Sequence, residues 1–491
     1  MIGRAGWASL LMVLFASRLP AEDDPLRLAL AMEASIQRVV ERAEPSVACI
    51  LVSRSELYAR FEGGGVRPPG RLGGFNPRNL PPMPGQQGPN ELLARLNLAA
   101  PDAVPDSYGS GVVIDGPAGL ILTNYHVVRD ATKVYVRLPG KGGSYADIHA
   151  ADERSDLAVL RLLNPPSGLQ ALPMGDAEQA RKGQFVVGLS NPWAAGFRDG
   201  SPSVAWGMLS NVRRRLPGEP NEGERRRPRL VYYPMLLQTT LNIPPGSSGG
   251  ALLDLKGNWI GLLTALPGVA GGEGSGGYAI PLDNRMKRIV EKLRRGEEVE
   301  YGFLGISLRQ DFWEPSEGGP AFRAGMRPGD RIVSVDGVTV NDQDDLMFGI
   351  TAALAGTQVE MVVEGAYGGR RVLRPVLQKA YWPNTGPIIA ANRPAPVYGL
   401  RVDYVTVVYQ GQGGFRRASP IPEGVLVREV EENSPAARAE LRVNQDVIAA
   451  VNGVRVTQPA DFYRIAAEAR GPLELTIVDD RGGIDRRVRL P

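Results

Sequence analysis

The sequence predicts a mainly β protein in which one large unit is followed by two small α+β units. From residue 108 to about 282, short runs rich in β-branched residues alternate with turn residues, a spacing typical of antiparallel sandwiches or barrels. Downstream, the stretches 319–340 and 434–456 repeat each other, which indicates two copies of one small module. At 491 residues, the chain is also longer than one hydrophobic core usually supports. Several domains are therefore expected.

Charge and cysteine content narrow the function classes. Lys and Arg total 56 and Asp and Glu total 53, a net charge of +3 that provides no general field for binding nucleic acid. The single Cys49 cannot form an intrachain disulfide, and its apolar context predicts a buried thiol. His149 has no Cys or His neighbour at ligand spacing, so the sequence implies no metal and no other cofactor.

The amino-terminal segment predicts export. Arg4 is followed by an apolar run of signal-peptide length and then by small and acidic residues, the usual order in a secretory signal. We expect a signal peptide over residues 1–21, cleaved near Ala21, and hence a periplasmic or secreted protein. An uncleaved membrane anchor is the alternative.

The rest of the chain divides by composition. Residues 22–298 form the large unit, which begins and ends with helical apolar spacing and carries a Gly- and Pro-rich surface insertion at 59–107. Residues 299–380 and 397–491 form the small units, each with a helical segment between strands. A Pro-rich linker at 381–396 joins them, and its composition predicts a stiff, extended segment.

An arginine-rich stretch at 211–230 contains two triple-arginine runs. Pro, Gly and Glu interrupt these runs, and no aromatic stacking pattern accompanies them, which favours a solvated loop. Contact with a membrane surface or with acidic substrates is the alternative.

Three motifs supply the side chains needed for nucleophilic catalysis. His126 follows an apolar strand in LTNYHVV, Asp156 precedes one in ERSDLAVLRL, and Ser248 lies in PPGSSGGALL. A serine hydroxyl is a weak nucleophile at neutral pH, so an imidazole must accept its proton and a carboxylate must orient the imidazole. Taken alone, the motifs also fit a packed histidine, a strand cap and a tight turn. Together and in this order they predict a catalytic triad.

The glycines around Ser248 have a separate role. With no side chain at Gly246, Gly249 and Gly250, the backbone can turn tightly. Such a turn aims the amides of Gly246 and Ser248 at the oxygen that becomes negative in the transition state. We therefore expect these two amides to form an oxyanion hole.

These motifs carry a family resemblance. TNYHVV, SDLAVL and GSSGGALL, with YAIPLD at 278–283 and the two downstream repeats, resemble the HtrA or DegP family of trypsin-like serine proteases over nearly the whole chain after the signal. The resemblance implies a chymotrypsin-like double β-barrel protease domain followed by two PDZ-like α+β domains. It implies His126 as general base, Asp156 as its orienting carboxylate and Ser248 as nucleophile. It also implies trimer contacts at the amino-terminal helix, and hence a homotrimer or a higher oligomer of trimers.

The repeats resemble PDZ domains, which bind an extended carboxyl terminus as an added strand and hold its carboxylate with backbone amides. The resemblance assigns peptide binding to Phe303, Leu304, Gly305 and Ile306 in the first copy, and to Tyr398, Gly399 and Leu400 in the second. After the first loop, DFWEPSEGG reads as a poor strand former. Two packing modules without ligands are the alternative.

The stretch before the serine departs from the family. The family resembles QTDAAINRGNSGG there, whereas this chain has QTTLNIPPGSSGG, with Thr240 in place of Asp and with Pro244 and Pro245 before Gly246. The triad is untouched by these changes. Because proline restricts the backbone, they predict an active-site loop that switches less readily than in relatives.

The sequence therefore predicts an exported, ATP-independent serine endopeptidase that hydrolyses unfolded or damaged proteins through an acyl-enzyme. Its PDZ-like domains are expected to bind substrate or activating carboxyl-terminal peptides. Leu262, Leu263 and Leu266 are consistent with a specificity pocket for small or medium aliphatic side chains. Two alternatives stay open: a catalytically silent holdase, supported by Thr240 and the double proline, and a scaffold that acts only through its repeats.

Overall fold

The computed structural model describes residues 25–55, 97–100, 105–140, 142–214, 236–264, 277–309, 312–341, 345–346, 349–350, 353–365, 367–381, 388–409, 420–478 and 486–491. The expected signal peptide at 1–21 and most of the 59–107 insertion lie outside these residues, as does the arginine-rich stretch beyond Arg214.

A helix and a buried strand open the described chain, in the predicted order. Helix α1 (Pro25–Ala43) ends where Pro45 enters a short 3-10 turn, and strand β1 (Val47–Ser53) follows. All residues of β1 are buried, including Cys49, which confirms the expected buried thiol. Burial raises the pKa of Cys49 to about 12, against the opposing charge of Arg137, so the thiol stays protonated and unreactive.

The first barrel is closed by six antiparallel strands. They are β1 with β2 (Ser107–Asp115), β3 (Leu120–Asn124), β4 (Lys133–Leu138), β5 (Gly142–Asp152) and β6 (Leu157–Leu162). Their order is β5-β4-β1-β2-β3-β6, and a further pairing of β5 with β6 closes the ring. The buried side chains of Ile50, Ile121 and Leu160 belong to its core.

The second barrel also has six strands. They are β7 (Phe185–Ser190), β8 (Ser203–Arg214), β9 (Leu236–Thr239), β10 (Ala251–Asp254), β11 (Trp259–Thr264) and β12 (Gly277–Pro281). They close in the order β10-β11-β12-β9-β8-β7 around a core that includes Val186, Leu209 and Leu252. Two closed six-stranded barrels confirm the chymotrypsin-like double barrel expected for the large unit.

Helix α3 follows the second barrel, and its termini explain its length. It spans Asn284–Arg294, and the Asp283 carboxylate caps it by accepting from the amides of Arg285 and Met286. Lys292 and Arg294 lie in the last turn, where positive charge favours the helix dipole. Its apolar face, which includes Ile289, packs into the core that lies between the barrels.

The described part of the first small unit contains short strands and the helical turn α4. It contains β13 (Gly302–Phe303), β14 (Ile306–Arg309), β15 (Phe312–Pro315), α4 (Pro320–Arg323), β16 (Arg331–Val335), β17 (Val338–Thr339), β18 (Met361–Glu364), β19 (Arg370–Leu373) and β20 (Gln378–Lys379). The main sheet has the order β17-β16-β18-β19. DFWEPSEGG, which has a composition unfavourable for a strand, forms the short strand β15 because it pairs in antiparallel fashion with β14.

The second small unit repeats this arrangement. It contains β22 (Leu400–Tyr404), α5 (Thr406–Tyr409), β23 (Val425–Val430), α6 (Pro435–Arg438), β24 (Val447–Val451), β25 (Val454–Arg455), α7 (Pro459–Glu468), β26 (Leu473–Val478) and β27 (Arg486–Leu490). Strands β24 to β27 pair as β16 to β19 do. An Asp-Gly pair joins β16 to β17 and an Asn-Gly pair joins β24 to β25, and all four residues have positive φ, as a tight hairpin requires. The structure thus confirms the internal repeat.

The segment between the two small units lies against the first barrel. Strand β21 (Ile389–Ala390) pairs with β5 as a seventh strand. Next to it, the Ala391 amide donates to the His149 carbonyl at 2.9 Å, and the Asn392 amide donates to the Gly296 carbonyl at 2.8 Å. The described part of the expected linker is therefore docked rather than a bare spacer.

None of the helices in the described ranges combines the length and the apolarity that a bilayer crossing demands.

Candidate active site

The histidine stands where an edge of the first barrel turns into a short helix. Strand β3 ends at Asn124, whose backbone is extended, and helix α2 (Tyr125–Val128) begins at once. This change of direction leaves the His126 side chain about one-third exposed, while its Nδ1 lies 2.7 Å from Asp156 Oδ2. The backbone amide of His126 also donates to Asp156 Oδ1 at 2.9 Å. One carboxylate thus fixes both the ring and the backbone of the histidine.

The aspartate lies at the end of the turn that joins β5 to β6. Its φ is +54°, a left-handed conformation that is uncommon for a residue with a side chain. Asn124 holds it there, because its Nδ2 donates to both Oδ2 and the carbonyl oxygen of Asp156 at 3.1 Å. The Tyr125 amide donates to the same carbonyl at 2.9 Å. Asn124 is a functional residue absent from the sequence-based prediction, although its place two residues before the histidine was a usable signal.

The serine loop is held by contacts that leave no room for side chains. Gly246 and Gly249 have φ values of +95° and +87°. A Cβ on Gly249 would lie 1.9 Å from the Ser110 carbonyl oxygen, far inside van der Waals contact. Ser248 itself is 4% exposed. The glycines in GSSGG therefore serve both the turn and its close approach to the first barrel.

The histidine and serine segments meet at Gly109. A Cβ at this position would lie 2.5 Å from the Val127 side chain and 3.3 Å from the Ser248 carbonyl oxygen. Because Val127 follows His126 directly, the two segments flank the same point on β2. The structure thus places the His126–Asp156 pair and the Ser248 loop on segments that approach the same residue of β2.

Ser110 is a second residue that sequence reasoning missed. It is fully buried, its hydroxyl donates to the Gly246 carbonyl at 2.8 Å, and it accepts from the Asn191 amide at 2.7 Å. Its own amide donates to the Ser248 carbonyl at 2.7 Å. One serine of the first barrel therefore ties down the loop that the second barrel supplies.

Three amides of the serine loop are used inside the protein. Ser247 donates to the Pro244 carbonyl at 3.1 Å, Gly249 to the Leu263 carbonyl at 2.9 Å, and Gly250 to the Ser247 carbonyl at 3.0 Å. Nearby, Thr240 exchanges two hydrogen bonds with Met208 across the barrel wall, each at 3.0 Å. Thr240 thus stabilises the β8–β9 pair at the end of β9.

Leu262 and Leu263 contribute to barrel packing. Both are almost completely buried, in two different hydrophobic clusters, because successive strand residues point to opposite faces. Neither offers appreciable exposed surface to a substrate side chain, which weakens the expected pocket role. Leu266 lies outside the described residues.

The expected peptide loop of the first small unit is partly covered by the second unit. Phe303 packs against a cluster that includes Val405, Ile421 and Leu426. Leu304 is buried in the core of its own unit, and its carbonyl accepts from Ala321. Gly305 is buried as well, while Ile306 is half-buried at the start of β14.

The expected loop of the second unit precedes an edge strand. Tyr398 and Gly399 have φ values of +53° and +81°, and Leu400 is buried in the core. Strand β22, which begins at Leu400, pairs with β23 on one side, and no strand of the described ranges pairs with its other side. At its other side the Val402 amide donates to the Tyr463 hydroxyl at 3.4 Å.

Among the described residues, no group of three or more His, Cys, Asp or Glu side chains is arranged to hold a metal ion.

Comparisons with known proteins match this arrangement. A family model described as a trypsin-like peptidase domain matches residues 109–262, and a PDZ domain model matches 314–365 and 426–479. The chain is 29% identical to a probable periplasmic serine endoprotease DegP-like from Halomonas elongata, over 88% of this chain and 87% of that protein. It is also 29% identical to the periplasmic pH-dependent serine endoprotease DegQ of Escherichia coli, over 80% of this chain and 84% of that protein.

Among solved structures, the HtrA-type protease AlgW with tripeptide is 24% identical to this chain. The match covers 70% of this chain and 96% of that one, with a TM-score of 0.47.

Proposed function

The chain belongs to the HtrA/DegP family of trypsin-like serine proteases with PDZ domains and is a serine endopeptidase; on that premise we propose that Ser248, His126 and Asp156 perform the hydrolysis. The observation that carries this proposal is the 2.7 Å contact between His126 Nδ1 and Asp156 Oδ2. With the carboxylate at Nδ1, the imidazole is oriented to accept a proton at Nε2.

The reaction proceeds through an acyl-enzyme. Ser248 Oγ attacks the substrate carbonyl carbon while His126 Nε2 takes the hydroxyl proton, and Asp156 stabilises the imidazolium that forms. The imidazolium then gives this proton to the leaving amine, and the C–N bond breaks. Water, deprotonated by the same imidazole, then attacks the ester carbonyl. The C–O bond to Ser248 breaks, the imidazolium returns its proton to Ser248 Oγ, and the carboxylic acid leaves.

The amides of Gly246 and Ser248 are the proposed donors to the oxyanion. The positive φ values of Gly246 and Gly249, +95° and +87°, give the tight turn that presents the Gly246 and Ser248 amides, which supports this choice. Ser110 fixes the Gly246 carbonyl, so the peptide groups of this turn are held before substrate arrives. Preorganised donors of this kind stabilise the transition state without reorganisation at the moment of reaction.

The proposed substrates are unfolded or damaged proteins outside the cytoplasm. Relatives that are similar over most of the chain are named periplasmic serine endoproteases, and the apolar amino-terminal run agrees with export. The PDZ-like units are proposed to bind carboxyl-terminal peptides. The second unit offers the better site, because Tyr398 and Gly399 form a left-handed turn beside the edge strand β22.

We also propose a homotrimer or a higher oligomer of trimers. Helix α1 exposes Leu26, Leu28 and Leu30, each by more than half of its surface. Leu26 and Leu30 are four residues apart and share one face of the helix, and exposed apolar side chains of this kind suit an interface between copies.

The proposed chemistry is tested by Ser248→Ala. We expect the variant to fold and to cleave an unfolded protein about six orders of magnitude more slowly than the wild type, because removal of the nucleophile disables the whole triad. Ser35→Ala, which alters a serine on α1, is the matched control and should cleave normally. Near wild-type cleavage by Ser248→Ala would refute the assignment.

A further inference from the structure

Tyr301 belongs by sequence to the first small unit but lies in the core of the protease. It comes directly before β13, and its carbonyl accepts from the Ala380 amide beside β20. Its side chain is nonetheless buried in the same hydrophobic cluster as Ala150 and Leu157. These two residues belong to β5 and β6, the strands that bracket the Asp156 turn.

The Tyr301 hydroxyl binds the residue that directly precedes the turn. It donates a short hydrogen bond to Asp152 Oδ2, at the end of β5. The same oxygen accepts from the Ser155 amide at 2.7 Å, and Ser155 precedes Asp156. Asp152 therefore closes the turn from within, and Tyr301 fixes the carboxylate that closes it.

The Tyr301 ring contacts the middle of the same turn. The guanidinium carbon of Arg154 lies 3.9 Å from the ring centroid, within the range of a favourable cation–π contact. The Tyr301 side chain thus contacts Asp152 and Arg154 directly, and it reaches Ser155 through Asp152. Asp156 is the next residue along the chain.

The turn needs such support. Asp156 has a φ of +54°, and a residue held in this region persists only where its surroundings over-determine it. A cavity of about 410 Å³, lined in part by Tyr125, Asp152, Arg154 and Tyr301, borders the turn. On that side the turn faces the cavity, so its hydrogen bonds and the Tyr301 ring hold it.

We propose that Tyr301 is a positioning residue for catalysis, whose hydroxyl, through Asp152, holds the Glu153–Asp156 turn so that the Asp156 carboxylate meets His126. This inference rests on the proposed function of the triad. Tyr301 contacts neither the substrate nor a reacting atom. Tyr301 lies at the start of the first small unit, so this unit helps to set the position of Asp156 in the large unit.

The test is Tyr301→Phe, which removes the hydroxyl and keeps the ring that packs against Arg154. We expect kcat on an unfolded protein substrate to fall about tenfold with KM unchanged, because a misplaced orienting group weakens the transition state and not substrate binding. Tyr145→Phe is the matched control: Tyr145 lies on β5, the strand that ends at Asp152, and its hydroxyl donates to Asn97 at 3.4 Å. Its kcat should stay within about twofold of the wild type.

A second variant shows whether the hydroxyl acts through Asp152. In an Asp152→Ala background the acceptor is gone, so adding Tyr301→Phe should change kcat by less than about twofold. An undiminished effect in that background would overturn the proposal. So would a Tyr301→Phe enzyme with wild-type kcat, or one in which only KM rises. If the wild type itself cleaves nothing, the proposed function fails and the inference falls with it.

Discussion

Ser110 joins the first barrel to the active-site loop of the second. Its hydroxyl satisfies the Gly246 carbonyl and the Asn191 amide, both in buried surroundings. Removing this hydroxyl leaves the buried Gly246 carbonyl and Asn191 amide without this hydrogen-bond partner. The free-energy cost of such unsatisfied buried groups exceeds the stabilisation that one surface hydrogen bond provides.

We therefore expect Ser110→Ala to lower the free energy of unfolding of the barrels by about 1–3 kcal/mol. Cleavage should slow as well, because the Gly246 peptide is no longer fixed. Urea denaturation and kcat/KM measure the two effects. Ser201→Ala, which removes one exposed hydrogen bond to Glu44, should change neither appreciably. Wild-type behaviour of Ser110→Ala would contradict the role given to this hydroxyl.

The three residues of the proposed triad could be selected from the sequence because each lies in a recognisable local pattern, and their catalytic role stays a prediction. Ser110 could not, because a serine inside SGVVID has no distinctive neighbours. Its partners are 136 and 81 positions away, and only the closed barrels bring them together. Asn124 is easier to identify from the sequence, because it lies two residues before His126. Its hydrogen bond to Asp156, however, forms only because the β5–β6 turn brings Asp156 close.

At the scale of elements, one lysine connects three parts of the chain. Lys379, at the end of β20, lies 2.7 Å from Glu298, 3.2 Å from Glu300 and 3.1 Å from Asp403. The two glutamates follow α3, and Asp403 lies on β22 of the second small unit. Burial alone would lower the pKa of Lys379, but Asp403, Glu300 and Glu298 outweigh it and raise the pKa. The lysine therefore stays charged.

Replacement of this lysine by methionine should loosen the junction. Lys379→Met leaves three carboxylates close together in a partly buried site, so we expect a loss of about 3 kcal/mol of stability. Lys256→Met, at an exposed turn, is the control and should be close to neutral. Thermal denaturation measures both variants, and an equal effect of the two would argue against the cluster as a structural junction.

The same cluster predicts a pH dependence. Burial raises the pKa of Glu300, Lys379 opposes this, and Glu298 and Asp403 raise it further. Because the folded pKa lies above the unfolded one, the folded protein binds more protons in the window between them. The stability of the wild type relative to Glu300→Gln should therefore increase as the pH is lowered through that window. Denaturation of both proteins from neutral to acidic pH checks the sign, and a decrease would contradict it.

The elements with strong local patterns were predictable, and those made by pairing were not. The helices at Pro25–Ala43 and Asn284–Arg294 have clear apolar spacing and end signals. Strand β15 has a poor composition but gains its hydrogen bonds from β14. Strand β21 has only two residues, in a Pro-rich stretch, and exists because β5 offers an edge.

At the scale of the whole molecule, β21 fixes the second small unit to the protease. The Ala391 amide donates to the His149 carbonyl at the end of this pairing. Ala391→Pro deletes that donor, at a cost of about 1–3 kcal/mol, and we expect a larger radius of gyration in small-angle X-ray scattering. Ala391→Ser keeps the amide and should keep the radius. An unchanged radius in the proline variant would show that other contacts hold the units together.

The central claim is that Ser248 is an activated nucleophile, and a fluorophosphonate probe tests it most directly. We predict labelling of the folded wild type on the peptide that contains Ser248, located by mass spectrometry, and strongly reduced labelling in His126→Ala. Absence of any label on Ser248 in the folded wild-type protein, with or without added carboxyl-terminal peptides, would contradict the account.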